Sequence, residues 1–256
     1  MATAVSDDAD GVRRLRAAQV GVTRLLVRDM RGLRRLIIPS RLDQSIPDWM
    51  AAVRALVGQY GAASAGLAAD YYDAERVAAR VTGRFTVPLL DPPPDAQVDS
   101  SLRWATKDVW ERDPEDPATT QAQREPLEVR LDQAEKKAEA VAQKLVTDQG
   151  RGTVREAVRQ DRQATAWARA AALGACAFCK LLASRGAVYK QNTADFRSHD
   201  GCHCGVVPVF KGQRFELSDH AREWERIYRD YAAPYPGDQL RRFRRALAEN
   251  GHLPVL

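Results

Sequence analysis

Residues 176–204 read CAFCKLLASRGAVYKQNTADFRSHDGCHC, and this stretch holds all four cysteines of the chain and two of its four histidines. Cys176 and Cys179 have two residues between them, a spacing that lets both sulfurs turn toward one point. His199, Cys202, His203 and Cys204 follow after a gap of nineteen residues. Sulfur and nitrogen donors in such number favour the closed tetrahedral shell that zinc adopts, and the energy of binding would substitute for a core in a loop-rich segment. The thiols of an intracellular chain stay reduced, which disfavours a disulfide framework. Six donors compete for about four positions. The favoured set is Cys176, Cys179, His199 and one of Cys202 or Cys204, because residues two apart on an extended strand share a face. Unmetallated thiols buried for packing are the competing reading. A catalytic ion would need an open position beside an acid or base, for which Asp195, Asp200 and His203 are candidates, but four Cys/His ligands argue for a structural site. A Cys176 or Cys179 nucleophile with His199 as base, a Ser184–His199–Asp195 set, and a His-Cys nuclease using His199 or His203 are weaker alternatives, since none has its full motif.

Working outward, Thr153 with Glu156 has capping-box spacing and predicts a helix through Val154, Val158, Trp167 and Ala171 that Gly174 stops. Ala187 to Lys190 and Gly205 to Phe210 read as short strands. Asp219 and Asp238 can cap two further helices, the second ending at Asn250-Gly251. Upstream, Leu127, Leu131, Ala134, Ala138, Val141 and Leu145 predict a helix from Pro126 to Val146, which Gly150 and Gly152 punctuate. Residues 101–111 read as a short helix, with breaks at Pro114 and Pro117, and Pro88 and Pro92 to Pro94 mark a linker. Ser45, Pro47 and Asp48 predict the start of a helix running through Trp49, Val53 and Val57 toward Tyr72, with Gly58, Gly61 and Gly66 as close-packing points and a short helix over 74–81. After an irregular start, Leu15, Val22, Leu26, Leu33 and Ile37 describe an amphipathic, Arg-rich helix that Pro39 ends. The expected fold is therefore mainly α, with a small α+β, zinc-knuckle-like Cys/His module in the C-terminal half. Four segments follow: 1–87, 88–150, 151–212 and 213–256.

The chain has 256 residues, 45% of them hydrophobic and 29% charged, enough for a buried core and unlike a disordered chain. No run of apolar residues is long enough to span a bilayer, and Met1 to Asp10 lacks a signal-peptide core, so a membrane partner is not expected. Of 39 basic residues 32 are Arg, an imprint of GC-rich coding more than of chemistry. Position says more than the total. Residues 11–41 hold nine Arg against Asp29 alone, whereas residues 91–135 hold twelve acids against five bases. Arg13, Arg14, Arg16, Arg24, Arg28, Arg31, Arg34 and Arg35 are thus candidates to meet a polyanion or an acidic protein surface; a solvated helix face is the plainer alternative.

Trp167-Ala168-Arg169, Cys176-Ala177-Phe178-Cys179, Leu182 to Gly186, Tyr189, Phe196, His199, Cys202, Cys204 and Pro208 resemble the central region of phage Mu F-type (MuF-like) minor head proteins, of the kind found in actinobacterial tailed phages. Trp49, Val53, Val57, Tyr60-Gly61, Ser64, Leu67, Tyr71-Tyr72 and Arg76 are similar to the helical N-terminal part of the same proteins. The resemblance covers about half of the chain. It implies a head-morphogenesis protein located in the virion, at the portal or procapsid interior and assembled in the host cytoplasm. Its implied partners are portal, scaffold or major capsid protein, with packaged DNA reached through the Arg-rich helix. Some relatives are labelled capsid maturation proteases, and no protease motif here carries that label over. The expected role is structural and zinc-stabilised, with a hydrolase (maturation protease or metal-dependent nuclease) using the same cluster as the alternative.

Overall fold

The computed structural model describes residues 3–113, 115–189, 198–199 and 201–253. Pro114, Lys190, Asp195, Phe196 and Asp200, each used in the sequence reading, lie outside the described residues. In chain order the elements are β1 (Thr3–Ser6), α1 (Asp10–Gly32), α2 (Leu42–Ala78), α3 (Asp95–Thr106), α4 (Leu127–Gln160), β2 (Ala164–Ala170), α5 (Ala177–Ala183), β3 (Gly205–Phe210), β4 (Gln213–Glu216), α6 (Asp219–Tyr231) and α7 (Gln239–Glu249). The protein is mainly α, with two small two-stranded sheets among the described residues and its Cys/His cluster in the C-terminal half. No described helix is long and apolar enough to cross a membrane.

The long helices organise the molecule. At about 1.5 Å per residue, α2 extends for about 55 Å and α4 for about 50 Å, and α1, α2, α3 and α4 pack on one another. One core fills this bundle: Leu26 and Met30 of α1, Trp49 and Val53 of α2, Leu102 of α3, and Leu131, Ala138 and Val146 of α4. A second core gathers Val12 from the start of α1, Tyr72 from the end of α2 and Val154 and Val158 from the end of α4. Around them pack Trp167, Cys179, Val207, Phe210, Trp224 and Phe243. Residues of all but the second of the four segments drawn from the sequence thus meet in this second core, and the long helices run from one core to the other.

Several local expectations are corrected. The helix predicted from Thr153 to Gly174 does not form. Instead α4 continues unbroken through Gly150 and Gly152 to Gln160, and 164–170 is strand β2, antiparallel to β3. Thr153 is no cap: it is fully buried, its hydroxyl donating to Gln149 O at 3.0 Å and accepting from Leu90 N at 3.2 Å. The glycines stay helical because their missing Cβ makes room. A Cβ on Gly150 would lie 2.6 Å from Ser64 Oγ and 3.0 Å from Ser64 O, and one on Gly152 would overlap Leu90. In β2 the helix-forming alanines are overruled by the pairing demand of Val206, Val207 and Val209 opposite, since a buried strand is set by its neighbours more than by propensity. The β3 strand forms over the predicted residues, and Tyr189 contributes a single bridge to Trp167 with its ring stacked at 4.4 Å.

Other differences are smaller. Helix α2 begins at Leu42, with Pro47 inside it, and absorbs the short helix predicted over 74–81. Ser45 does not cap it; its hydroxyl accepts from Ile38 N and donates to Ile38 O. Of three predicted close-packing glycines only Gly61 is one, against Gln149, whereas Gly58 and Gly66 face open space. The short helix α3 starts earlier than predicted, at Asp95. The irregular N-terminus is a strand: β1 pairs in parallel with β4, Val5 opposite Phe215. Ser218, one residue before Asp219, is the cap of α6, accepting from Ala221 N at 3.3 Å.

Candidate metal centre

Cys176 is the residue before α5 and Cys179 lies in its first turn, so one helical turn brings both thiols to the same side. The helix is seated on β2, where the buried Arg169 donates to Cys179 Sγ at 3.4 Å. On the other arm, Cys202 N donates to His199 O at 3.1 Å and Gly201 takes φ +71°, a conformation that favours glycine, so the chain turns back on itself. Cys202 and Cys204 are buried while His203 between them is exposed, the alternation of extended chain leading into β3.

The two arms meet. Cys176, Cys179 and His199 form one group whose donor atoms all lie within 4.8 Å of each other, and Cys179, Cys202 and Cys204 form a second, with Cys179 common to both. His199 Nε2 is 3.0 Å from Cys176 Sγ and 3.9 Å from Cys179 Sγ, and Cys179 Sγ is 3.7 Å from Cys202 Sγ. All four cysteines are free thiols. They share hydrogens: a bond from Cys179 holds the Cys176 thiol down to about 5, His199 adding to the effect, and the Cys202 thiol is lowered through its own bond to Cys179 and by Arg151. The same two bonds push Cys179 up. Thiols of low pKa among buried neighbours are what a soft cation displaces protons from, so this cluster could hold a metal ion.

Of the other candidates, His203 lies outside both groups, and desolvation with Arg151 nearby lowers its pKa. Ser184 Oγ donates to Leu181 O at 2.9 Å, finishing α5. The arginines of α1 divide. Arg31 and Arg34 turn to α4, reaching Glu139 at 2.9 Å and Glu135 at 2.8 Å. Arg13 pairs with Asp10 and Arg28 with Asp29. Arg16 is partly buried against α4 and the Cys204–Val206 chain, its Nε and Nη2 without a hydrogen-bond partner among the described residues. Arg14, Arg24 and Arg35 are exposed and make no ion pair among the described residues.

Two residues around the centre were not legible in the sequence. Arg151 of α4 donates from Nε to Cys204 O at 2.7 Å and from Nη2 to Cys202 O, and Asp148 accepts from Ser198 Oγ at 2.8 Å on each carboxylate oxygen. An acid and a base three apart on a helix read as an ordinary surface pair, and nothing in the spacing announces contact with a cluster fifty residues on.

The sequence profile of the VG15 protein family, a family of viral (phage) gene products, matches residues 6–231. No curated protein and no solved structure matches the chain.

Proposed function

This chain belongs to the VG15 family, and from that premise we propose that it is a structural virion protein of the minor head type, seated at the portal or procapsid interior and stabilised by zinc. The observation that carries the reading is the placement of the Cys/His donors. They join α5 to the 198–204 turn at the edge of a core that α1, α2 and α4 also fill, Cys179, Cys202 and Cys204 buried in it and His199 exposed, so an ion held there would lock parts of the fold together. Zinc suits the donor set. A Zn–S bond of about 2.3 Å puts two sulfurs of a tetrahedral shell about 3.8 Å apart, and Cys179 and Cys202 lie at 3.7 Å. Cys176, Cys179, His199 and Cys202 would be the ligands, with Cys204 in reserve.

The partner surface we assign to α1 and the turn after it. Arg24, Arg28 and Arg35 are exposed there among Leu25, Leu36 and Ile38, themselves exposed. Cations interleaved with apolar side chains suit a portal, scaffold or major capsid protein better than a DNA backbone, which recruits charge alone.

The test is co-purification with portal or procapsid, with zinc quantified in the same sample. The expected result is association with about one zinc per chain; a protein that stays free and carries no stoichiometric metal overturns the reading. Cys176→Ser and His199→Ala should lower the melting temperature. Under the rival reading, a hydrolase, these variants stay folded and lose an activity that the wild type shows.

A further inference from the structure

We propose that Arg151 and Asp148, on one face of α4, are positioning residues of the Cys/His centre, holding its second arm in place from outside the ligand set. The inference rests on the metal reading above and adds the part of the fold that pre-forms the site.

The second arm runs from Ser198 through His199 to Cys204, and α4 grips it at both ends. At one end Ser198 Oγ donates to both oxygens of Asp148, 2.8 Å each, fixing the residue next to His199. At the other, the guanidinium of Arg151, 7% exposed, donates to the carbonyls of Cys202 and Cys204. The grips are linked, because Arg151 Nη1 donates to Asp148 Oδ1 at 2.7 Å, and Lys144 Nζ adds a third contact to that carboxylate at 2.7 Å. Holding the carbonyls on either side of His203 sets the backbone that aims the two sulfurs. The platform is rigid: between Asp148 and Arg151 lies Gly150, packed on Ser64 of α2 and Gln19 of α1 too closely for a side chain. Groups that orient ligands in this way are worth about 10–100-fold in metal affinity.

The test compares the full-length wild type with Arg151→Met, Arg151→Lys and Asp148→Asn. Zinc affinity is read by competition with a chromophoric chelator, and melting temperature with and without metal. Arg151→Met should bind zinc about 10–100-fold more weakly. Arg151→Lys should fall between it and wild type, since an ammonium cannot span both carbonyls as a planar fork does. If Arg151 serves packing alone, metal-free and loaded forms of Arg151→Met lose equal melting temperature and zinc affinity is unchanged, which overturns the proposal. Should Arg151→Met not fold, Asp148→Asn decides by the same comparison. A wild type that takes up no zinc brings down the metal reading itself, a result distinct from a wild type and variants that bind equally well.

Discussion

At the scale of single residues, two buried carboxylates lie at the end of α2, one of them in a buried ion pair. Asp161, at the end of α4, pairs with Arg76 and accepts from Tyr72 Oη at 3.1 Å, while Arg76 also donates to Gly83 O at 3.0 Å and covers the Phe85 ring. Both side chains of the ion pair are more than nine-tenths buried. Removing one charge strands the other, so Arg76→Ala should cost about 3–5 kcal/mol in urea unfolding. Glu75 is different: burial raises its pKa above the ordinary 4.5, the Arg14 charge offsetting part of this. A carboxyl that holds its proton more tightly in the folded state favours folding at acid pH, and that contribution is lost as pH rises from the unfolded value through the raised one. Glu75→Gln should therefore match wild type near about pH 4 and exceed it in melting temperature at neutral pH. Equal curves across the whole range would remove burial as the cause.

At the scale of the element, glycine has two meanings within the long helices. Gly150 lets α4 approach Ser64 O and Gln19, and Gly150→Ala must move backbone, with an expected loss of about 1–3 kcal/mol. Gly58 of α2 meets nothing within 4 Å, so Gly58→Ala should stabilise by about 0.5–1 kcal/mol through helix propensity. Urea midpoints moving in the same direction for both variants would contradict this account. The same contrast explains why the sequence predicts two helices where α4 is one. A glycine pair ends a helix in an isolated chain; here Gln19 and Ser64 of neighbouring helices, and Leu90 of the loop before α3, occupy the space the side chains would take.

At the scale of the whole molecule, the first residues and the C-terminal helices hold each other. Asp7, 1% exposed, accepts from Ser218 N at 2.8 Å and Ser218 Oγ at 2.9 Å, and β1 lies beside β4. Asp7→Ala leaves a buried amide and the capping hydroxyl short of a partner, a loss of about 1–3 kcal/mol, and hydrogen exchange at the Ser218 amide should quicken with it. Metal chelation should act elsewhere. With a metal holding the two arms, its removal is expected to speed exchange in α5, 201–204 and β3 while the core around Trp49, Leu102 and Val146 keeps its protection. Uniform loss across both cores would mean that the centre supports the entire fold cooperatively.

Much of this architecture could be read from local pattern. The 3.6-residue recurrence of apolar side chains announced the bundle helices. The β-branched run of Val206, Val207 and Val209 marked β3, and CxxC with HxxCxC marked the cluster, because each of these signals is contained in a few neighbouring residues. What required tertiary structure is whatever depends on a distant partner. The alanines of β2 became strand because β3 lies opposite, Gly150 stayed helical because Ser64 is close, and Thr3 to Ser6 became ordered because β4 offers an edge. Arg31, although exposed, and the partly buried Arg34 lean onto α4 because it presents Glu139 and Glu135. Arg151 reaches Cys202 and Cys204, and Asp148 reaches Ser198, only because α4 passes beside them, and no spacing along the chain encodes that approach.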